Sequence, residues 1–252
     1  MAADAASSVP PDAASVLSFW FGPDYARVAA DPLAWPAEGN KRWFFGGEEV
    51  DAEIKAQFLP LIDALSSPSP PSPSPLCWLD DDLAKASDDD ASFLPLRALA
   101  GVIAMDQFSR NAFRGTPRAF ALDEQALRWS RALVGAGLHR RLAPAARLFL
   151  LLPFEHSEDL EMQRESLRLF EEMAKDAAEA AAGGGKAGAG AEEEGLAAVA
   201  LQRNTQGTLD FARKHLEVIE RWGRFPGRNA ALGRESTVEE AEGLANGTIA
   251  KW

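Results

Sequence analysis

Apolar residues recur along this chain at the spacing of one helix face, and no stretch shows the alternation of a half-buried strand. In residues 51–65, Ile54, Phe58, Leu61, Ile62 and Leu65 fall at i, i+4, i+7, i+8 and i+11, with Pro60 as an expected kink. Residues 93–108 are apolar on nearly every side, the pattern of a helix buried among others. Asp123 is placed to cap a helix through Leu127, Leu133 and Val134 that ends at Gly135, and Pro144 suits the first turn of the next, which ends near Pro153. A further helix is expected to start around His156 and to carry Leu160, Leu167 and Phe170. A long one passes Leu209, Leu216 and Ile219 and stops at Gly223. Ser236, Thr237, Val238 and Glu239 read as a capping box for a short final helix. The expected fold class is all-α.

Two segments interrupt this pattern. Residues 66–75 alternate serine and proline, which supports neither a helix nor a central strand, and residues 181–195 pass from alanine into glycine and then three glutamates. Both read as low-complexity insertions. The glycines at 183–185 before Lys186 lack the spacing and the preceding strand of a phosphate loop. Residues 1–15 hold Asp4 and Asp12, no basic residue and no apolar run, and are expected to be a disordered tail rather than a targeting signal. Residues 16–252 are expected to form one domain, within the size one core can serve.

The formal net charge of −12 disfavours nucleic acid as a partner, because such binding rests on a basic surface. Apolar runs such as Leu148 to Leu152 fall far short of a membrane span. Cys77 is the only cysteine, which suits a reducing compartment, and a cytoplasmic location is expected. Trp20, Phe21, Trp35, Trp43, Phe44 and Phe45 make the first fifty residues rich in aromatics, more often core than base-stacking surface in an acidic protein.

Against that acidity, two blocks stand out. Arg110, Arg114 and Arg118 recur every fourth residue after Asp106 and Gln107, with Asn111 among them, and Arg221, Arg224, Arg228 and Arg234 follow one another with Asn229 and no acid between. Such local positive charge calls for either buried carboxylates of the same protein or an anionic ligand. Asp106 and Arg110 are spaced to pair on one helix face. His156 lies among Glu155, Glu158 and Asp159, and carboxylates at that distance would raise its pKa. A metal site from His156 and His215 has no supporting spacing, Ser109 and Ser157 lack a nucleophile elbow, and His139 beside two arginines reads as surface.

The stretches 16–22, 106–111, 114–120, 152–158, 224–229 and 232–237 resemble, in order, the signature blocks of domain of unknown function family 924. That resemblance implies a single all-helical domain similar to a tetratricopeptide (TPR) superhelix, and it implies no reaction. No tandem repeat is visible, so the expected form is an irregular right-handed superhelix of antiparallel helices. Ser109 stands where the family pattern has proline, and Gly227 where it has histidine.

Two functions follow as expectations. One is a binding module that holds a peptide or other anionic ligand in a concavity lined by Arg and Asn. The other is an enzyme or receptor for a small anionic metabolite, with His156 as acid or base. For both, the expected site is Asp106, Gln107, Arg110, Asn111, Arg114, His156, Glu158, Arg224, Arg228, Asn229 and Arg234, with no metal. Pocket depth separates them, since a closed cavity with buried His156 favours a small molecule.

Overall fold

The structure is a computed structural model that describes residues 11–36, 39–67, 94–183 and 191–250. Every regular element among these residues is helical, so the all-α expectation holds. In chain order, α1 is Pro11–Phe21, α2 Tyr25–Ala30, α3 Gly39–Phe45, α4 Gly47–Leu65, α5 Leu94–Val102, α6 Asp123–Gly135, α7 Pro144–Glu155, α8 Leu160–Gly183, α9 Ala191–Trp222 and α10 Val238–Asn246. Helix α5 continues without a break into a π-helical segment, Ile103–Phe108, and one further α turn, Ser109–Ala112.

The apolar period does what it predicts. Ile54, Phe58, Ile62 and Leu65 of α4 are buried, and α5 with its π extension is buried almost throughout. Helix α7, whose every residue is buried, is the central rod, and α8 packs against both it and α9. Glu171 pairs with Arg213, while Ala178 lies near Val199 and Arg203, so α8 and α9 run antiparallel. At one end of the core, Phe149 of α7 meets Trp20, Phe21 and Trp43 edge-on at 5.4, 5.6 and 4.8 Å between ring centroids. The Trp43 indole N–H donates to the Trp20 carbonyl at 2.8 Å, which ties α3 to α1.

Several local expectations shift. Residues 1–10 of the expected tail, most of the 66–75 insertion, Cys77 and residues 184–190 lie outside the described residues. Residues 11–15, however, belong to α1, where Ala13 is fully buried, so the tail expected over 1–15 is too long. Residues 181–183 end α8 and residues 191–195 begin α9, where Glu192, Glu193 and Glu194 occupy the first turn and complement the positive end of the helix. The insertion read over 181–195 is shorter by those residues. The capping box falls one residue later than expected: Thr237 Oγ1 accepts from the Glu240 N–H at 3.2 Å, and Glu240 Oε2 accepts from the Thr237 N–H at 2.8 Å. His139 is buried rather than exposed, because Glu172 of α8 folds over it at 3.3 Å.

Helices α5 and α6 pack closely only because Gly101 has no side chain. A Cβ there would run into the Trp129 ring of α6. Gly101→Val should therefore cost about 1–3 kcal/mol, well beyond the few tenths recovered from a better helix former. Thermal unfolding would show it as a Tm lowered by roughly 2 to 12 °C, at about 2 to 4 °C per kcal/mol for this size. An unchanged Tm would mean the two helices do not pack as described.

Candidate functional site

The π-helical segment sets the site. An extra residue in a helical turn re-aims the side chains that follow, and such segments recur where chemistry is placed. Here the register is visible in Ser109, whose hydroxyl points to the carbonyl of Ala104 five residues back at 3.4 Å. The segment presents Asp106 and Gln107 on one side and leads into Arg110 and Asn111.

Asp106 is wholly buried and is the hub. It accepts from Gln107 Nε2 at 2.6 Å and from Arg110 Nη1 at 3.0 Å, and His156 Nδ1 lies 2.8 and 3.0 Å from its two oxygens. Burial alone would raise its carboxyl, but Arg110, His156 and the hydrogen bonds from His156 and Gln107 together outweigh burial and hold it far below the usual carboxylate range. An ionised Asp106 fixes the His156 tautomer. Nδ1 carries the proton that Asp106 accepts, and Nε2 is left as the basic nitrogen.

His156 caps the C-terminus of α7 and does not open a helix. Its backbone N–H donates to Leu152, and α8 begins at Leu160 after Asp159 caps it. The expected rise in its pKa is also overturned: burial and then Arg110 lower it, against the pull of Asp106, so the imidazole is neutral near pH 7.

The residue before it, Glu155, is 4% exposed. Burial, followed by the nearby Asp106 charge, pushes its carboxyl up to about 8, so it carries a proton at neutral pH. His215 of α9 lies with Nδ1 3.2 Å from Glu155 Oε1 and 2.9 Å from the Phe211 carbonyl. That carbonyl can only accept, which places the proton of His215 on Nδ1. Burial, and then His156, push its pKa down to about 3. The two imidazole rings are 6.2 Å apart between centroids.

These groups line a cavity of about 530 Å³. Of the residues expected from the sequence, Gln107, Arg110, Asn111, Arg114, His156 and Arg228 are in its wall, and Asp106 lies directly behind them. Trp35 from the connection before α3, Trp43, Phe44 and Phe45 from α3 and Phe211 from α9 supply an aromatic side. Phe44, Phe45 and Phe211 are 48%, 80% and 51% exposed, which makes them the rim.

Glu158, Arg224, Asn229 and Arg234 do not reach the cavity. They form a clasp around the chain between α9 and α10. Arg234 holds Glu158 through two bonds of 2.6 and 2.9 Å, and Glu158 also accepts from the Phe225 N–H at 2.8 Å. Arg224 holds Glu240 at 2.8 and 2.7 Å, and Asn229 Nδ2 donates to Ser236 at 3.0 Å. Each of these side chains is spent on a partner of the same protein.

Most of the expected positive charge is neutralised in the same way. Arg110 grips Asp123 with two bonds of 2.8 Å, and Asp51 takes two bonds from Arg114 at 2.8 and 2.9 Å and one from Asn111 at 2.8 Å. Arg228 differs. It is 5% exposed, its Nε has no hydrogen-bond partner, and its ion pair is a long one, 3.5 Å to the Asp123 that Arg110 already holds. Phe225 and Phe120 flank its guanidinium at 4.4 and 4.9 Å. Burial and the neighbouring Arg110 charge push its pKa down to about 10. It is a buried cation with incomplete compensation.

The sequence reading missed Glu155 and the α9 wall. A signal for the latter exists in retrospect: Asn204, Thr208, Phe211 and His215 fall at i, i+4, i+7 and i+11, a polar and aromatic stripe along one helix face, and all four line the cavity. Glu155 carries no such mark.

The family model of bacterial proteins of unknown function designated DUF924 matches residues 16–248, nearly the whole chain, so the chain belongs to that family. No curated protein matches significantly. Among solved structures, a protein of unknown function from Agrobacterium tumefaciens, ATU0120, is similar at a TM-score of 0.60 and 24% sequence identity. The similarity covers 93% of this chain and 97% of that one, and it shows a shared fold.

Proposed function

We propose that this DUF924 protein takes up a small organic anion with an aromatic or other apolar body in the cavity between the π-helical segment, the end of α7 and α9. The single observation that carries this is Arg228: a guanidinium 5% exposed, in the cavity wall, with an unpartnered Nε and only a 3.5 Å ion pair. A buried cation of this kind is stabilised by an anion, and the planar guanidinium suits a carboxylate. The aromatic side of the cavity supplies the complementary surface for an apolar body, within the volume range of small-molecule sites.

An extended peptide is the weaker match. The polar groups that would read a peptide, Glu155, His215 and Arg228, are at most 5% exposed, and so lie at depth rather than along a groove. In this reading the helices form the irregular TPR-like superhelix expected from the family resemblance, with the cavity on its concave side, and the protein works in the cytosol.

The test is calorimetry with 3-phenylpropionate as the probe. The wild type should bind it, and Arg228→Met should weaken binding by about 10- to 150-fold, the loss of one charge-assisted hydrogen-bonded contact. The methyl ester of the same acid should show a similar loss on the wild type. Met keeps the stacking between Phe120 and Phe225, so the unliganded variant should melt at the wild-type temperature or slightly above it. Equal affinity in the variant, or no binding by the wild type, would end this reading.

A further inference from the structure

Beyond binding, the cavity holds an acid and a base set side by side. His156 is oriented by Asp106 so that its Nδ1 edge is committed and Nε2 is the nitrogen left to act, and the Glu155 carboxyl lines the same wall one residue earlier on α7. Neighbouring groups whose surroundings drive one to the neutral base and the other to the neutral acid are the arrangement that proton transfer requires.

Resting on the anion-binding reading above, we infer that the cavity is the active site of a keto–enol isomerase for 2-oxo carboxylates with an aromatic body. The carboxylate is held by Arg228, with the aromatic body against Trp43 and Phe211. His156 Nε2 then removes a proton from the carbon next to the keto group. The C–H electron pair forms the new carbon–carbon double bond, the carbonyl π pair moves to oxygen, and that oxygen takes the proton of the Glu155 carboxyl. The product is the enol, with the same atoms and electrons as the keto acid. The imidazolium and carboxylate that remain return to their starting forms by passing one proton through solvent. A 2-oxo acid is the simplest carboxylate in which one acid and one base complete a reaction in this way.

The inference also fixes a pH profile. His156 is faced by Asp106, Arg110, Arg228 and His215, and Glu155 by Asp106 and His215. The base must be neutral, so the rate rises as His156 loses its proton. The acid must be protonated, so the rate falls again as Glu155 ionises near pH 8.

The experiment uses the full chain with phenylpyruvate in D2O, following loss of the C3 proton signal by NMR. Exchange should exceed that in buffer with heat-denatured protein, and it should be bell-shaped in pH. His156→Gln and Glu155→Gln should each slow exchange by about 10²- to 10⁴-fold while still binding 3-phenylpropionate. Glu155→Gln keeps the shape and neutrality of the protonated acid, so it answers the question even where His156→Gln does not fold. Binding of 3-phenylpropionate without enhanced exchange overturns the isomerase and leaves the binding reading standing. Loss of both overturns both. Exchange that survives Glu155→Gln, or that rises steadily through pH 9, also overturns the isomerase.

Discussion

Asp106→Ala should destabilise the protein by roughly 3 to 5 kcal/mol, the cost of breaking a buried charge pair from one side. Asp106 is fully buried and accepts from Gln107, Arg110 and His156, so its removal strips a partner from three buried or half-buried donors at once. Arg110 retains both bonds to Asp123, which directs the expectation toward the lower end of that range. In thermal unfolding the Tm should fall by roughly 6 to 20 °C at this chain length. Were Asp106 and Arg110 an ordinary i, i+4 surface pair, the loss would be only about 0.2 to 0.5 kcal/mol. The measurement separates these cases by an order of magnitude.

The same residue sets a sign for acid unfolding. Its folded pKa is depressed, so its contribution is fully present above its unfolded value, about 3.9, and is withdrawn as pH falls through the folded one. Glu155 runs the other way. Its carboxyl is raised to about 8, so its burial costs stability progressively as pH climbs from its unfolded value of about 4.3 toward that figure. Asp106→Ala should flatten the acid limb and, by removing the charge that adds to the burial of Glu155, reduce the limb above pH 5 without abolishing it.

These contrasts show what the sequence could reveal. Helices were legible because burying one face imposes a 3.6-residue period, and α4, α6 and α9 lie where that period placed them. Ends were less legible. Pro153 reads as a terminator, yet α7 continues through it to Glu155, where Phe154 and Leu152 are buried and hold the chain helical. His156, expected at a helix start, sits instead at the end of this buried helix, where burial and then the Arg110 charge reverse the expected direction of its pKa. The charge pattern was legible only as a question. Arginines without nearby acids need partners, but Asp51, which answers Arg114, lies 63 residues away in sequence, and Glu158 lies 76 residues from Arg234. Only folding decides that Arg110, Arg114, Arg224 and Arg234 are each held in a short ion pair within the protein while Arg228 is left with a long one in a cavity wall.

The second large effect belongs to Phe149, and it connects the core to the site. Its ring is fully buried, meets Trp20, Phe21 and Trp43 edge-on and lies 6.3 Å from Phe44 in a stacked arrangement. Phe149→Ala should cost about 3 to 5 kcal/mol, from the lost transfer of the ring and the cavity it leaves, with aromatic pairing contributing about 0.5 to 1.5 kcal/mol per pair. Trp43 and Phe44 line the aromatic side of the ligand cavity, and both rest on this ring. The variant should therefore also bind 3-phenylpropionate more weakly at temperatures where circular dichroism shows it folded. Phe45→Ala is the control: at 80% exposure its stability should stay within about 0.5 kcal/mol of wild type. A Phe149→Ala protein that melts early yet binds with full affinity would detach the aromatic wall from the core beneath it. It would leave Arg228 and the polar wall as the whole of the site.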